Sequence, residues 1–218
     1  MMRHRRSAAA TKAQTRAYGE RVAEIAAQLR AEIDAPKAPH GRPVVVMLMG
    51  FPGVGKSHVA RLLAVRIGAA HVATDQLRSR LFIAATYTPD ENVAVFGAAD
   101  ALLDALLGEQ HRVVLDATHL RRSYRAAPLA TAARRGVPVV AVRIVADDAE
   151  TLARLAARRV ARAEGDHSDA DERVFRRMRE QPFEPPDGGF LEIVNGSALD
   201  GEIARVVEAV ERACASAS

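Results

Sequence analysis

The apolar run Val44 to Met49 leads directly into Gly50-Phe51-Pro52-Gly53-Val54-Gly55-Lys56-Ser57, and a stretch with helical character, Lys56 to Ile67, follows without a break. This octapeptide satisfies G-x-x-x-x-G-K-[ST], and its position between strand and helix restricts the fold more than any other feature of the chain. A continuous apolar run predicts a parallel strand buried on both faces. The glycines let backbone N–H groups curl around phosphate oxygens while the following helix presents its positive end to them. Gly50, Pro52, Gly53, Val54, Gly55, Lys56, Ser57 and His58 are therefore the expected phosphate-binding residues. Lys56 is expected to reach the β and γ phosphates, and Ser57 to offer its hydroxyl to Mg²⁺.

The rest of the chain supplies matching elements. At 218 residues with 49% hydrophobic content there is material for one α/β domain and a modest extension, but not for two catalytic domains. Val22, Ile25, Leu29 and Ile33 share one face of a helix over Tyr18 to Ile33, which either docks on its own domain or serves as a partner-binding arm. Ala35 to Pro43, with three prolines and a glycine, reads as a linker, so residues 1–43 form an extension to a domain at 44–218. Strands are expected at Val44 to Met49, Ala70 to Thr74, Arg112 to Leu115, Val137 to Val145 and Leu191 to Val194. Helices are expected at Lys56 to Ile67, Gln76 to Ile83, Asn92 to Leu107, Arg122 to Arg135, Asp148 to Ala163, Asp169 to Glu180 and Ala198 to Ala213. This alternation predicts βαβ crossovers and a parallel sheet with helices on both faces.

Composition excludes some classes and locations. No apolar run approaches the ~20 residues that span a bilayer, so no membrane association is expected. The one cysteine, Cys214, cannot form an intramolecular disulfide or build a structural zinc site, and it has no base beside it; a cytoplasmic protein is expected. Met1 to Ala13 is basic but lacks the apolar core of a secretory signal; an organellar transit peptide is the alternative. The net charge of +4 suits a polyanionic partner or a multi-phosphate nucleotide, or is ordinary solvated surface.

Further candidates fall at the ends of the expected strands. Asp75 stands where the second strand gives way to a helix, and Arg78 follows one turn later on the same face. A carboxylate there can accept the proton of an attacking hydroxyl, and the guanidinium can hold an anionic group; alternatively Asp75 caps the helix and Arg78 is solvated. Val113-Val114-Leu115-Asp116 is an apolar strand ending in a carboxylate, the Walker B arrangement, so Asp116 is a candidate holder of Mg²⁺. His119, at the same edge, is a candidate acceptor contact or a capping or surface residue. Arg154, Arg158, Arg159 and Arg162 recur at helical spacing after the fourth strand, either as a solvated face or as a lid that neutralises charge developing during transfer. No N-K-x-D sequence is present to indicate a signalling GTPase, and no H-E-x-x-H to indicate a zinc hydrolase.

GFPGVGKS, TDQLR, VVLDATHL, RAAPLATAARRGVPVVAV and LARLAARR together resemble the P-loop kinase group that contains polynucleotide 5′-hydroxyl kinases and related bacterial kinase-like AAA-named ATPases. The resemblance covers Pro43 to about Val210 and implies a P-loop NTPase three-layer sandwich of the α/β class. Its five-stranded parallel sheet would have the order 2-3-1-4-5, under an arginine-rich helical lid at about residues 148–189. It further implies Mg²⁺ with ATP as co-substrate, Asp75 as general base, Arg78 as acceptor-binding residue, Arg158 (with Arg154 and Arg162) as nucleotide clamp, and Asn195 near the adenine. Polynucleotide kinases commonly carry asparagine where this chain has His119. The activity implied is transfer of the γ-phosphate to a hydroxyl of a small molecule or nucleotide. A polynucleotide 5′-hydroxyl kinase with a nucleic-acid partner, a toxin kinase acting on a nucleotide sugar, and an acceptor-free nucleotide-dependent ATPase or switch are the alternatives.

Overall fold

The computed structural model describes residues 24–33, 35–36, 38–82, 89–161, 172–180 and 182–216. After helix α1 (24–32) the chain runs β1 (Val45–Met49), α2 (Lys56–Ile67), β2 (Ala69–Ala73), α3 (Thr74–Leu81), α4 (Pro89–Gly108), β3 (Arg112–Asp116), α5 (Arg122–Arg134), β4 (Val139–Val145), α6 (Asp148–Ala161), α7 (Glu172–Arg179), β5 (Leu191–Val194) and α8 (Leu199–Ser216). The five strands form one all-parallel sheet in the order β2-β3-β1-β4-β5, the P-loop NTPase α/β arrangement.

Alternation along the strands divides the core in two, because successive side chains of a strand point to opposite faces. Val46 and Leu48 of β1 join Val59 and Leu63 of α2 and Val206 and Val210 of α8 on one face. Val45 joins Leu77 of α3, Leu102 and Leu106 of α4, and Ile25 and Leu29 of α1 on the other. The described part of the leading helix thus packs on the domain that follows it, and Arg80–Glu32 (2.8 Å) and Arg30–Glu109 ion pairs flank the contact. Burying an aliphatic side chain of this size contributes ~1.5–3 kcal/mol, so these two helical faces account for much of the adhesion between layers.

Element ends depart from the sequence-based expectation for local reasons. α4 starts at Pro89 rather than Asn92, since proline is preorganised for the first helical position. β4 starts at Val139 rather than Val137 because Pro138 has no N–H to donate; its carbonyl instead accepts from Val45 (3.0 Å). Thr74 opens α3 rather than ending β2, and its hydroxyl donates to the Asp116 carbonyl (3.2 Å). The expected turn Gly165 to Ser168 and the start of the second charged helix lie outside the described residues. Among the described residues, no helix is long and apolar enough to cross a membrane.

β1 and β3 are neighbours, and the connection leaving β1 runs to β2 while that leaving β3 runs to β4 on the other side, so the two diverge at their carboxyl ends. Ligands of open α/β sheets bind at such a switch point. At the opposite, amino edge, Arg112 bonds Glu211 of α8 (2.8 Å) and the carbonyls of Arg42 and Ile67, fastening the segment before β1 to the last helix.

Candidate active site

The phosphate loop is held from three strands. Gly50 N–H donates to the Thr118 carbonyl beyond β3 (3.0 Å). A Cβ on Gly50 would stand 2.6 Å from the Ile144 carbonyl of β4, so no side chain fits there. Beyond β5, Asn195 donates its side-chain amide to the Val54 carbonyl (2.8 Å). Gly55 then turns through φ 93° to start α2, and a Cβ there would collide with the same amide. Lys56 Nζ bonds the Phe51 carbonyl (2.8 Å) across the bend. Pro52 and Val54 are buried, Gly53 lies against Thr151 and Leu155 of α6, and His58 is exposed on α2.

Below the loop, the carboxylate that ends β3 is enclosed. Asp116 is 5% exposed and accepts from His71 Nε2 of β2 (3.1 Å), and the Ser57 hydroxyl acts on it from α2. Burial pushes its acidity toward the neutral form, but the His71 hydrogen bond and charge, the Lys56 ammonium and the Ser57 hydroxyl together hold the carboxyl below its ordinary value. An ionised carboxylate and a hydroxyl in contact are hard oxygen donors of the kind Mg²⁺ takes alongside water and phosphate oxygens. The residues present fit that ion.

Three residues beyond Asp116, His119 is neither capping nor at the surface: it is fully buried, with φ 41°. Its Nδ1 lies 3.0 Å from the Leu48 carbonyl, which can only accept, so Nδ1 carries the proton. Burial is the main cause lowering its pKa to about 4, which keeps the ring neutral. Arg125, also buried, donates to the His119 carbonyl (2.7 Å) and to the Glu184 carbonyl (2.6 Å).

On the other side of Asp116, the Thr74 bond sets the start of α3. Ala73 occupies the N-cap position, so Asp75 lies half-buried inside the first turn rather than capping it. Arg78 is not solvated: its side chain is 7% exposed, bonds Asn92 Oδ1 (2.7 Å) and lies 3.6 Å from Glu91 of α4. One turn along α4, Phe96 stacks on Tyr124 (centroids 4.9 Å apart) and tilts against His119.

Helices α6 and α7 flank the outer side of the loop. Phe175 of α7 meets the Phe51 ring edge to face at 6.0 Å, and Arg179 lies 5.4 Å over that ring while pairing with Asp148. Arg154 pairs with Glu150 one turn back on α6. Arg158 is a residue of α6, but its side chain, like the whole of Arg162, lies outside the described residues. The returning segment is fastened by Arg122, which donates its backbone N–H to Glu184 (2.6 Å) and pairs with Asp187 (2.8 Å).

The sequence reading missed His71, Arg125, the Phe51 stack and the burial of His119. His71 carries a usable signal. It is the only polar side chain in Ala69–Ala73 and sits opposite Val114, hence diagonal to Asp116. Diagonal neighbours on adjacent strands lie within reach of long side chains. Arg125 carries none, because arginines punctuate that helix throughout.

A family model for an AAA domain matches residues 45–186. Uncharacterized proteins of Mycobacterium bovis and Mycobacterium tuberculosis are 34% identical over 143 residues, 60% of this chain, and the match spans only 28% of their length. Among solved structures, the fold is similar to the Mycobacterium tuberculosis APS kinase bound to AMPPNP and APS (TM-score 0.58, 20% identity, 78% of this chain and 99% of that one). It is also similar to a Sinorhizobium meliloti gluconokinase (0.57, 17%, 79% and 94%). A third match is Chaetomium thermophilum Kti12 with ADP-AlF3 (0.61, 17%, 78% and 98%). At these identities the likeness is one of fold, that of P-loop kinases.

Proposed function

From the premise that the chain belongs to the AAA domain family and has a P-loop kinase-like fold, we propose that it transfers the γ-phosphate of Mg·ATP to a hydroxyl of a small molecule or nucleotide. One observation supports this most: a second carboxylate, Asp75, stands in the first turn of a helix whose first residue, Thr74, is bonded to Asp116 beside the phosphate loop. A switch ATPase needs no such group. In this scheme the loop amides and Lys56 bind and orient the phosphates, while Ser57 and Asp116 would hold Mg²⁺, which would supply positive charge to offset that of the phosphates. Asp75 takes the proton of the acceptor hydroxyl, and Arg78, kept in place by Asn92 and Glu91, holds an anionic part of the acceptor. Asn195 contributes by fixing the Val54 carbonyl and hence the loop, and Arg154, Arg158 and Arg162 supply positive charge from the lid. Residues 44–218 would form the catalytic unit, with 1–43 as its extension. A cytosolic location goes with this reading and is supported by the single buried thiol, Cys214.

The test is acceptor-dependent release of ADP by the purified protein with Mg·ATP, screened against pools of metabolites, nucleotides and 5′-hydroxyl oligonucleotides. Release with a metabolite or nucleotide pool is expected. Labelling of oligonucleotides alone would move the protein to the polynucleotide kinases. ADP release indifferent to every pool would leave only the switch.

A further inference from the structure

We infer that His71 is a positioning residue for the magnesium site: its ring N–H fixes the Asp116 carboxylate so that, together with the Ser57 hydroxyl, it can receive the ion. This deepens the proposed function and rests on Asp116 and Ser57 being the magnesium-side residues.

The argument is geometric. Asp116 is nearly enclosed, so its carboxylate orientation is set by the groups that bond it rather than by water. His71 comes from a different strand, and its Nε2 contacts Oδ2 at 3.1 Å with its side chain 23% exposed. An ionised carboxylate only accepts, so Nε2 is the donor. The Ser57 hydroxyl acts on the same carboxylate from α2, so His71, Asp116 and Ser57 converge from β2, β3 and α2. Without His71, Oδ2 of this buried carboxylate loses that donor, and the group is free to rotate toward another. That change weakens a hard-oxygen site for a small cation. Partners of this kind, one bond behind a metal ligand, typically alter metal affinity by roughly 10–100-fold when removed.

Three variants separate this role from simple packing. In His71→Gln the side-chain amide nitrogen falls close to where Nε2 stood, so the donor is kept. In His71→Asn the donor is too short to reach, and in His71→Leu it is absent. ATP affinity is measured by calorimetry with Mg²⁺ over a range of concentrations and again in EDTA. Wild type is expected to bind ATP more tightly with Mg²⁺. His71→Asn and His71→Leu should need roughly tenfold more Mg²⁺ for the same gain, while binding ATP in EDTA as wild type does. His71→Gln should stay within about threefold of wild type, below the range expected for loss of the partner.

If His71→Leu or, should that variant not fold, His71→Asn shows wild-type Mg²⁺ dependence, His71 has no positioning role. Equal weakening in EDTA would overturn it as well, since that marks a general disturbance of the loop. Those outcomes leave the phosphate-loop reading intact. Wild type that binds no ATP under either condition would bring down both.

Discussion

The two flanks of the phosphate loop are held by different kinds of contact. On the inner flank, along the carboxyl edge of the sheet, the partners are backbone carbonyls and amides plus one enclosed carboxylate: Gly50 to Thr118, Asn195 to Val54, His71 to Asp116. On the outer flank, toward α6 and α7, a buried contact between the Phe51 and Phe175 rings is bordered by ion pairs at partly exposed sites, with Arg179 shared between Asp148 and the Phe51 ring and Arg154 paired with Glu150. A buried polar group that loses its partner costs ~1–3 kcal/mol, whereas an exposed ion pair contributes ~0–1 kcal/mol. The inner flank is therefore preorganised and resists change. The exposed ion pairs of the outer flank cost little to break.

This asymmetry assigns the large effects to the inner flank. Asp75→Asn should slow phosphoryl transfer by roughly 100- to 10,000-fold, the range for a positioned general base, with ATP affinity unchanged because the residue lies outside the loop. Single-turnover transfer alongside calorimetric ATP binding checks both halves, and unchanged turnover would remove Asp75 from the chemistry. Lys56→Ala should lower turnover by roughly 100- to 1,000-fold, the range for removing one positively polarised group from developing charge, and should also weaken ATP binding. Full affinity in that variant would contradict the inner-flank scheme at its centre.

A third prediction concerns stability. His119 has a folded pKa of about 4 against an ordinary 6.5, chiefly through burial. The unfolded chain therefore takes up this proton first as pH falls. The stability this group provides is complete above pH 6.5, declines through the interval below it, and is lost by about pH 4. The shift corresponds to about 3 kcal/mol at most. His119→Asn should flatten that decline, since asparagine tolerates φ 41° and can donate to the Leu48 carbonyl without titrating. Urea midpoints at pH 7.5, 6 and 5 measure it, and an unaltered slope in the variant would place the titration elsewhere.

The strands, the loop and the Asp116 edge were legible because each rests on a short, local pattern: apolar runs fix strands, and the spacing of glycines, lysine and serine fixes the bend; the order of the strands came only with the family resemblance. What was not legible depends on which strands become neighbours. His71 has meaning only once β2 lies beside β3, and His119 only once the Leu48 carbonyl comes within 3.0 Å. Arg78 belongs to the same class. Its partners Asn92 and Glu91 follow a segment of unpatterned sequence, so the solvated alternative could not be dismissed before α3 and α4 were seen to pack together. Arg125 is hidden for another reason, since one buried arginine among several exposed ones carries no compositional mark.

The smallest effect belongs to the outer flank and probes the comparison most directly. Phe51→Leu removes the edge-to-face contact with Phe175 and the ring under Arg179, but keeps the backbone carbonyl that receives Lys56. Aromatic pairs of this kind contribute ~0.5–1.5 kcal/mol, and a partly exposed cation over a ring ~0.5–1 kcal/mol. The expected result is a melting temperature lower by a few degrees, about 2–4 °C per kcal/mol for a chain of this size. ATP affinity should change by less than about tenfold, since tenfold requires 1.4 kcal/mol acting wholly on binding. A loss of ATP binding comparable to that of Lys56→Ala would mean that α7 helps to form the phosphate site and that the two flanks act as one.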